Sequence, residues 1–450
     1  MSTPLAAHAP GASRALGFWM CTALVVGNII GIGIFLIPAQ LAPFGLNALT
    51  GWLVTVLGCV CLALAFALLA RRFADDDGPY DYVLRTFGPA TAFLVMWCYW
   101  VSVWVANAGI AMGVVAYLLY FLPALNSHPL APPVLGLAML WLFVLINSRG
   151  VRAAGWVQVL TTVLKLVPQI AVILLGLLLL FSHPRAYTQH LPPNPASWRE
   201  VASVSAIALF AMLGIECATI PAGRVRDPER TIPRATLAGT LIAAGIYVGI
   251  SVVPMLLIPQ RELTASSAPF ADLFARLLGG NWGGVCAAFV LVSGLGALNG
   301  WTLIIGEVTE TVARHGGFPR WLAQENRHGA PARAFVATGV VSSLMLLGNY
   351  AGSITELFGF LTAIAVNLSL PLYFLAAAAI VRLKWLPGTP AVSALMLAAA
   401  LIAAAYCGWV AIGLEVRPLV WGAVLGLAGI PVYLACTRTQ AAGAARAGLP

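Results

Sequence analysis

Apolar runs of about 20 residues recur along the whole chain, and they restrict its fold more than any other feature. A helix of about 20 residues crosses the hydrocarbon core of a bilayer, which is roughly 30 Å thick. Of the 450 residues 61% are hydrophobic and 9% are charged, whereas a soluble domain carries about 25% charged residues. A water-soluble fold cannot bury this much apolar surface. The sequence therefore predicts an all-α membrane protein that crosses the bilayer many times.

The runs predict twelve transmembrane helices in one transmembrane domain at 16–436, between tails at 1–15 and 437–450. The spans are predicted at 16–42, 46–70, 90–122, 131–148, 153–181, 201–222, 235–258, 282–312, 334–350, 356–381, 390–413 and 418–436. The tails and even-numbered connections carry 18 of the 24 Lys and Arg residues, the odd-numbered connections carry five, and Lys165 is the remainder. Because positive charge collects on the cytoplasmic side, both termini are predicted to be cytoplasmic in a multi-pass protein of the cell (inner) membrane.

Several functional classes find no support in the sequence. The net charge of +9 follows from the membrane topology, and no basic and aromatic pattern of a nucleic-acid site accompanies it. The cysteines and histidines lack metal-ligand spacing, so neither a metal nor another cofactor is predicted. No phosphate-binding loop, HExxH or GxSxG motif occurs. A membrane enzyme or a channel is therefore only a distant alternative, and no enzyme activity is predicted.

Two predicted spans carry matching interruptions. The first contains GIGIFLIP at 31–38, and the sixth contains GIECATIP at 214–221. Glycine weakens a helix and proline removes a hydrogen-bond donor. Backbone groups freed in this way are tolerated at membrane depth only where protein or a cavity supplies partners. Helix packing on glycine is the alternative explanation for either break alone, but the matched pair indicates a substrate site near the bilayer midplane.

The predicted breaks suggest what such a site would bind. A half-helix that ends at the break exposes carbonyl groups, and one that starts there exposes N–H groups at a positive dipole end. A substrate carboxylate can rest on the N–H groups of the first break, and an ammonium on the carbonyls of the second. An amino acid carries both groups.

In its two break motifs, GIGIFLIP and GIECATIP, and in five further segments, the sequence resembles the amino acid–polyamine–organocation (APC) superfamily, and within it the bacterial arginine/agmatine antiporter family. The resemblance covers nearly the whole chain. It is carried by GNIIGIGIFLIPAQLA (27–42), GWLVTVLG (51–58), FGPATAF (87–93), LGIECA (213–218), DPERTIPRAT (227–236), APFADLFARLLG (268–279) and LNGWTLIIGE (298–307). It implies an inverted five-plus-five repeat, with repeats at about 16–181 and 201–381 and two extra helices at about 390–436.

The resemblance also implies a set of substrate-binding and gating residues. The substrate-binding set consists of the break residues Asn28, Ile29, Ile30, Gly31, Ile32, Gly33, Gly214, Ile215 and Glu216, together with Tyr99, Asn107, Phe210, Trp301, Thr362 and Ala363. Gating is assigned to Tyr80, Phe210 and Trp301. The family usually has a small residue at 32, tryptophan at 210 and serine at 363, so these three departures leave the substrate open.

The alternatives for three of these residues stay open. Glu216 is either a hydrogen-bonded pin that holds the sixth-span break or a group that contacts a cationic substrate. Trp301 is either packing or a ring that stacks on a guanidinium or ammonium group. Asn107 either contacts the substrate or bonds a neighbouring helix. The loops at 75–77 and 224–234 are predicted to be solvated, and the second to help gating.

Lys165 is the only basic residue placed deep inside a predicted span. A charge there costs at least about 3 kcal/mol, so it is expected to face a cavity or a partner. The setting TTVLKLVP (161–168) resembles sodium-independent and proton-coupled members of the superfamily, in which a fifth-span lysine stands where sodium sits in other relatives. We expect its ammonium to bridge the first-span break and the eighth span, replacing Na⁺ or coupling transport to protons.

These features together predict a sodium-independent secondary transporter that works by alternating access. Its predicted partners are the lipid bilayer, a small-molecule substrate and, as an open alternative, a second copy of the chain in a homodimer. The favoured substrate is a cationic amino acid or its decarboxylated amine, moved by exchange of the arginine/agmatine type. The alternative is proton-coupled symport of neutral amino acids.

Overall fold

The computed structural model describes residues 15–35, 37–73, 78–122, 124–125, 128, 130–182, 195, 197–266, 270, 273–274, 283–348, 354–385 and 392–446. Within these ranges the chain is helical and contains no β-strand, apart from one isolated bridge between Leu16 and Val225. The all-α class predicted from the apolar runs is therefore confirmed.

The described residues in the first half of the chain form seven α-helices. They are α1 (Phe18–Ile29), α2 (Ile37–Leu41), α3 (Leu46–Arg72), α4 (Pro79–Phe87), α5 (Pro89–Phe121), α6 (Ala131–Ser148) and α7 (Val151–Ser182), with 3₁₀ turns at Ile32–Phe35 and Ala42–Phe44.

The described residues in the second half form nine α-helices. They are α8 (Trp198–Met212), α9 (Pro228–Leu257), α10 (Gln260–Ala265), α11 (Gly283–Arg314), α12 (Ala332–Gly348), α13 (Ile354–Leu383), α14 (Ala394–Gly413), α15 (Val416–Leu427) and α16 (Gly429–Arg446), with 3₁₀ turns at Ile215–Ala218, Ala222–Arg224 and Arg320–Ala323.

Ten helical segments in the described ranges are long and apolar enough to cross a membrane. Two shorter apolar helices, Phe18–Ile29 and Ala332–Leu347, lie in the remaining two predicted spans. The chain is therefore a multi-pass membrane protein, while the count of twelve crossings stays a prediction. In the centre of the bundle α5 packs against α11 and α13, and α1 packs against α7, α9 and α11.

The first predicted span is broken at its glycines, as the motif indicates. Helix α1 ends at Ile29, and Ile30 leaves helical geometry at φ −83° and ψ 87°. A 3₁₀ turn over Ile32–Phe35 and the short helix α2 continue the span. The backbone of this segment therefore cannot satisfy all of its own polar groups.

The sixth predicted span is broken at the matching place. Helix α8 ends at Met212, and Gly214 adopts φ 116° and ψ 3°, which is left-handed backbone that favours glycine. A 3₁₀ turn over Ile215–Ala218 follows and packs against α1. The two breaks therefore lie side by side in the centre of the bundle.

Candidate functional site

A small cavity of about 40 Å³ lies between the two breaks and the surrounding helices, which is room for a few water molecules at about 10–15 Å³ each. Its walls come from both breaks and from α5, α9, α11 and α13. The lining residues are Asn28, Ile29, Gly31, Gly33, Ser102, Val103, Ala106, Ile110, Phe210, Ala211, Leu213, Tyr247, Trp301, Ala365 and Ser369. Among these described lining residues none is Asp, Glu, Lys or Arg.

Lys165 lies behind the first-span break, not in the cavity wall. Its side chain is 1% exposed, and its ammonium donates to the carbonyl of Gly27 at 2.7 Å and to that of Ile30. The expected contact with the first-span break is therefore present. Both hydrogen bonds described for the Lys165 ammonium go to the first-span break, and the eighth-span helix α11 contacts the break through its own residues Ser293 and Trp301.

The other three carbonyls of the break accept hydrogen bonds from three side chains. Trp301 Nε1 donates to Asn28 O at 3.2 Å, Tyr247 Oη to Ile29 O at 2.9 Å and Ser293 Oγ to Gly31 O at 3.1 Å. Five consecutive carbonyls, from residues 27 to 31, thus have side-chain donors from α7, α9 and α11. The carbonyl oxygens of this break are therefore hydrogen-bonded by side chains of the protein itself.

The donor side of the break faces the cavity at Gly33. The first N–H groups of a helical turn have no partner inside that turn. An added Cβ at Gly33 would stand 3.2 Å from the ring of Phe210, which also lines the cavity. Phe210 therefore packs closely on Gly33, and a side chain at this residue would press against the Phe210 ring in the cavity wall.

Glu216 is fully buried behind the sixth-span break. Its two carboxylate oxygens accept hydrogen bonds from Tyr99 and from Tyr373, both at 2.5 Å. Tyr373 Oη also accepts from the N–H of Gly214 at 3.4 Å. The carboxylate therefore fixes α5, α13 and the break to one another, as the pin interpretation of Glu216 requires, and it does not line the cavity.

Asn28 connects the two breaks. Its Nδ2 donates to Cys217 Sγ at 3.0 Å, and its Oδ1 accepts from Gln158 Nε2 at 3.4 Å. Gln158 Oε1 in turn accepts from Asn299 at 3.1 Å. This amide network extends from the cavity wall into α7 and α11.

Some residues implied by the resemblance lie outside the cavity wall. Asn107 is 2% exposed and its Oδ1 has no hydrogen-bond partner in the described structure; its neighbour Ala106 lines the wall. On α13, Thr362 and Ala363 are half-buried away from the wall, which is formed by Ala365 and Ser369. Ile30 and Ile215 are buried in the core, and the Ile32 side chain lies outside the described part.

Tyr80, the predicted gating tyrosine, lies at one end of the bundle. Its ring lies 4.3 Å from that of His315, and His315 Nε2 lies 3.1 Å from Asp81 Oδ1. The preceding Gly78 adopts φ 71°, and an added Cβ would meet the carbonyl of Thr219 at 2.3 Å. The segment that carries Tyr80 therefore packs against the end of the sixth-span break, and the gating role of Tyr80 stays a prediction.

The loop at 224–234 is not uniformly solvated, so that prediction is wrong for Arg224. The Arg224 side chain is 6% exposed. Its guanidinium donates to Glu307 at 2.9 Å, to Glu310 at 3.0 Å and to Glu325 at 3.0 Å. Residues 75–77, the other loop predicted to be solvated, lie outside the described residues.

Electrostatics keeps Arg224 charged despite its burial. Burial opposes the charged form, but the carboxylates of Glu307, Glu310 and Glu325 outweigh it and raise the pKa of Arg224 above its ordinary value. A fourth contact, to the carbonyl of Gly329 at 2.6 Å, completes the cluster. The Arg224 cluster, meaning these residues, joins the end of the sixth span to α11 and the loop that follows it.

The sequence did not point to Tyr247, Tyr373, Ser293, Ser102 or Ser369. A hydroxyl in an apolar span needs a partner, so each was a candidate for a polar contact. Nothing in the sequence showed which of many such hydroxyls meet at the breaks. Only the packing of α9, α11 and α13 around them does so.

Comparison with known proteins gives consistent matches. A family model described as amino acid permease matches residues 16–430. The chain is 31% identical over 381 residues to a cadaverine/lysine antiporter of Escherichia coli (strain K12), covering 83% of this chain and 84% of that protein. It is 31% identical over 382 residues to a putrescine transporter of the same organism, covering 84% and 86% respectively.

The family match, the coverage of both chains and the pair of interrupted spans agree with one another. The chain belongs to the amino acid permease family of the APC superfamily.

Proposed function

We propose that this protein is a sodium-independent exchanger of a cationic amino acid and its decarboxylated amine. The observation that carries the proposal is the Lys165 ammonium, held by two carbonyls of the first-span break. A cation already neutralises the exposed acceptors there, so a metal cation has no free carbonyls to bind. The names of the two relatives, which refer to lysine, cadaverine and putrescine, support a cationic substrate.

The proposed architecture adds a number of crossings, an internal repeat and an orientation to the helices that the structure describes. Twelve crossings form two inverted repeats, at about 16–181 and 201–381, followed by two helices at about 390–436. Both termini lie in the cytoplasm of a cell whose inner membrane holds the protein, and a homodimer is the proposed assembly. The concentration of Lys and Arg in the tails and even-numbered connections supports this orientation.

The cavity offers two complementary ends to an amino acid. The N–H groups that begin the 3₁₀ turn at Ile32 and Gly33 favour a carboxylate. The face of Trp301 favours an ammonium or guanidinium group through cation–π attraction of about 0.5–2 kcal/mol. Ser102 and Ser369, whose hydroxyls lie 3.1 Å apart, supply further polar contacts in the wall.

Two layers close the path from this cavity to the proposed cytoplasmic side. The first is Glu216 between its two tyrosines, and the second is the Arg224 cluster with Asp81 and His315 beside it. Alternating access requires both layers to separate on that side while the opposite side closes. Asn107, Thr362, Ala363 and Tyr80 are proposed to act in this movement, in contact with the substrate only when the bundle rearranges.

Uptake into liposomes tests the proposed function. Purified protein is reconstituted with or without internal lysine, and entry of labelled lysine, arginine, cadaverine, agmatine and alanine is measured. Exchange predicts entry of cationic substrates only into preloaded liposomes, with no effect of Na⁺. Entry into empty liposomes driven by a pH gradient, with alanine as the best substrate, would contradict it.

That contrary result would favour the second candidate, proton-coupled symport of neutral amino acids. One observation supports this candidate: the described cavity wall carries no acidic side chain, and Glu216 is already bonded by two phenols. A pH-sensitive dye inside the liposomes separates the two functions, because symport carries protons inward and acidifies the interior, whereas exchange of one substrate for another carries no proton.

A further inference from the structure

A second, smaller cavity lies beside α7, one turn beyond Lys165. It is lined by Phe35, Pro168, Gln169, Val172, Phe270, Phe274 and Phe289, and it has room for about one water molecule. Its walls are apolar except at Gln169. Helix α7 begins near the loop of the Arg224 cluster, where Asn326 bonds Ser148 O. The cavity therefore lies on the opposite side of Lys165 from that cluster.

Gln169 is the unusual residue in this cavity. Its side chain is 1% exposed, and neither its Nε2 nor its Oε1 has a hydrogen-bond partner within the part of the chain that the structure describes. A primary amide can donate two hydrogen bonds and accept through its oxygen. Leaving such a group dry and unpaired inside a protein is strongly unfavourable. The amide therefore needs a partner that occupies the cavity.

Leu164 and Lys165, two α7 residues about one turn before Gln169, carry further polar groups, although neither is among the residues that line the cavity. Pro168 lacks an N–H group, so the carbonyl of Leu164 loses its helical hydrogen bond. The Lys165 ammonium has three donors, and two of them bind Gly27 and Ile30. Helical side chains lean toward the N-terminus, which brings the Gln169 amide over the turn that contains Lys165. A buried water needs two to four such partners.

We propose that this cavity is a binding site for one ordered water molecule, which joins the Gln169 amide to the third donor of Lys165. The water accepts from the ammonium and bonds the amide of Gln169 and the carbonyl of Leu164. Gln169 is a positioning residue, because it acts on Lys165 through the water and does not touch the substrate cavity.

The water also gives the ammonium a partner for proton exchange, a consequence that rests on the second candidate function, proton-coupled symport. In that step the proton passes from Lys165 Nζ to the water oxygen, leaving a neutral amine and a hydronium ion that returns the proton or releases it on that side. Helix α6 has no titratable side chain. On α1, α9 and α11, Tyr247 shares the break with Lys165, Cys21 is buried in the core, and Glu307 and Glu310 are bound by Arg224. The remaining titratable residues of these helices lie within their first or last two turns: Glu229, Arg230, Arg234, Cys286 and Arg314.

Hydroxyl-radical footprinting of the detergent-purified full chain tests the water directly, since bound water activated by X-rays oxidises the side chains around it. The wild type should show oxidation of Phe35 well above that of Phe66, which is fully buried against Tyr373 elsewhere. Gln169→Leu should lower the Phe35 signal several-fold, and Gln169→Glu should keep it. Equal signals at Phe35 and Phe66 in the wild type would overturn the proposal.

A thermal comparison gives an independent test with a matched amide on the same helix. If the cavity were dry, Gln169→Leu would raise the melting temperature and leave uptake unchanged, and that result would overturn the proposal. If the water is present, Gln169→Leu should not raise the melting temperature. Gln158→Leu, which removes a hydrogen-bonded amide, should lower the melting temperature and so calibrates the assay.

Transport then tests the role of the water at Lys165. In liposomes Gln169→Leu should lower the maximal uptake rate several-fold with an unchanged KM, and Gln169→Glu should restore most of the rate. A change in KM alone would overturn the positioning role. Absence of uptake by the wild type would count against the proposed function, whereas the footprinting and melting results would still decide the water site.

Discussion

At the scale of single residues, Lys165 has the most demanding environment in the bundle. Its ammonium is buried, and its two partners are backbone carbonyls without charge. The burial of a lysine without a carboxylate is costly, so the position is explained by function better than by stability. Replacing it removes the cation that the first-span break needs.

The first prediction is that Lys165→Met abolishes exchange. The carbonyls of Gly27 and Ile30 would lose their donor, at about 1–3 kcal/mol each, and the break would lose its shape. Initial uptake of labelled substrate should fall at least about tenfold, the equivalent of 1.4 kcal/mol. The sequence has one other lysine, Lys384, which is exposed, so Lys384→Met is the matched control. Equal uptake by the two variants would remove Lys165 from the mechanism.

The second prediction concerns the ring of Trp301. Trp301→Leu removes the cation–π surface, worth about 0.5–2 kcal/mol, and should weaken binding of cationic substrates by about 2- to 30-fold. The hydrogen bond from Trp301 to Asn28 is lost whichever substrate is bound, whereas the cation–π attraction is lost only for a cationic substrate. Binding of a neutral amino acid should therefore weaken less. Thermal-shift titrations with lysine and alanine measure the difference. An equal loss for both would show that Trp301 only packs.

The third prediction separates charge from shape at Glu216. Glu216→Gln keeps the size of the side chain but weakens its charge-assisted hydrogen bonds, which are worth about 1.5–3 kcal/mol. Uptake should fall, and more for a diamine than for a neutral substrate, if the carboxylate also attracts the cation. The exposed Glu415→Gln serves as control. Unchanged binding and transport would exclude both a pinning and a substrate role.

At the scale of elements, the two broken spans depend on glycine geometry. Gly214 has φ 116°, and an added Cβ would lie 3.2 Å from both Ile29 Cγ1 and Ile29 N. The position is therefore restricted by backbone conformation and by contact with the other break. The contact between Gly214 and Ile29 therefore restricts how the two breaks pack against each other.

The fourth prediction follows from that contact. Gly214→Ala should destabilise the protein by about 1–3 kcal/mol, the cost of a side chain in left-handed backbone, and should reduce uptake. Gly245→Ala, inside α9 with nothing within 4 Å of an added Cβ, should be neutral or stabilise by about 0.5–1 kcal/mol. Melting temperatures in detergent measure both changes. A neutral Gly214→Ala would mean that the break tolerates ordinary helix geometry.

How much the sequence could predict also becomes clear at this scale. The glycines and prolines predicted where the two spans break, and the charge of Lys165 predicted that its ammonium needs a partner at the first-span break. The assignment of Thr362 and Ala363 by resemblance missed the cavity wall, which Ala365 and Ser369 form on the same helix. The rotation of a helix that is apolar all round cannot be obtained from its pattern, because no polar face marks its direction.

At the scale of the whole molecule, the Arg224 cluster joins parts that alternating access must separate. The guanidinium lies after the sixth span, while Glu307 and Glu310 lie on α11 and Glu325 beyond it. The bridge between Leu16 and Val225 ties the start of α1 to the same place. Sequence reasoning treated the loop as solvated, because a run of arginines beside a span gives no sign of distant acidic partners.

The fifth prediction is that Arg224→Gln loosens this closed end. Removing one partner of a buried ion cluster costs about 3–5 kcal/mol, so the segments around residues 16 and 225 should exchange backbone hydrogen faster. Hydrogen–deuterium exchange detected by mass spectrometry measures this in detergent. Arg226→Gln, a change at an exposed neighbour, is the control. Identical exchange in both variants would contradict a latch at Arg224.

The central claim is that a lysine ammonium occupies the first-span break in place of a metal cation. The most direct measurement is the initial rate of lysine uptake into preloaded liposomes with external Na⁺ replaced by choline at constant ionic strength. The structure predicts the same rate in both media. A rate that rises steeply and saturably with Na⁺ would contradict the claim.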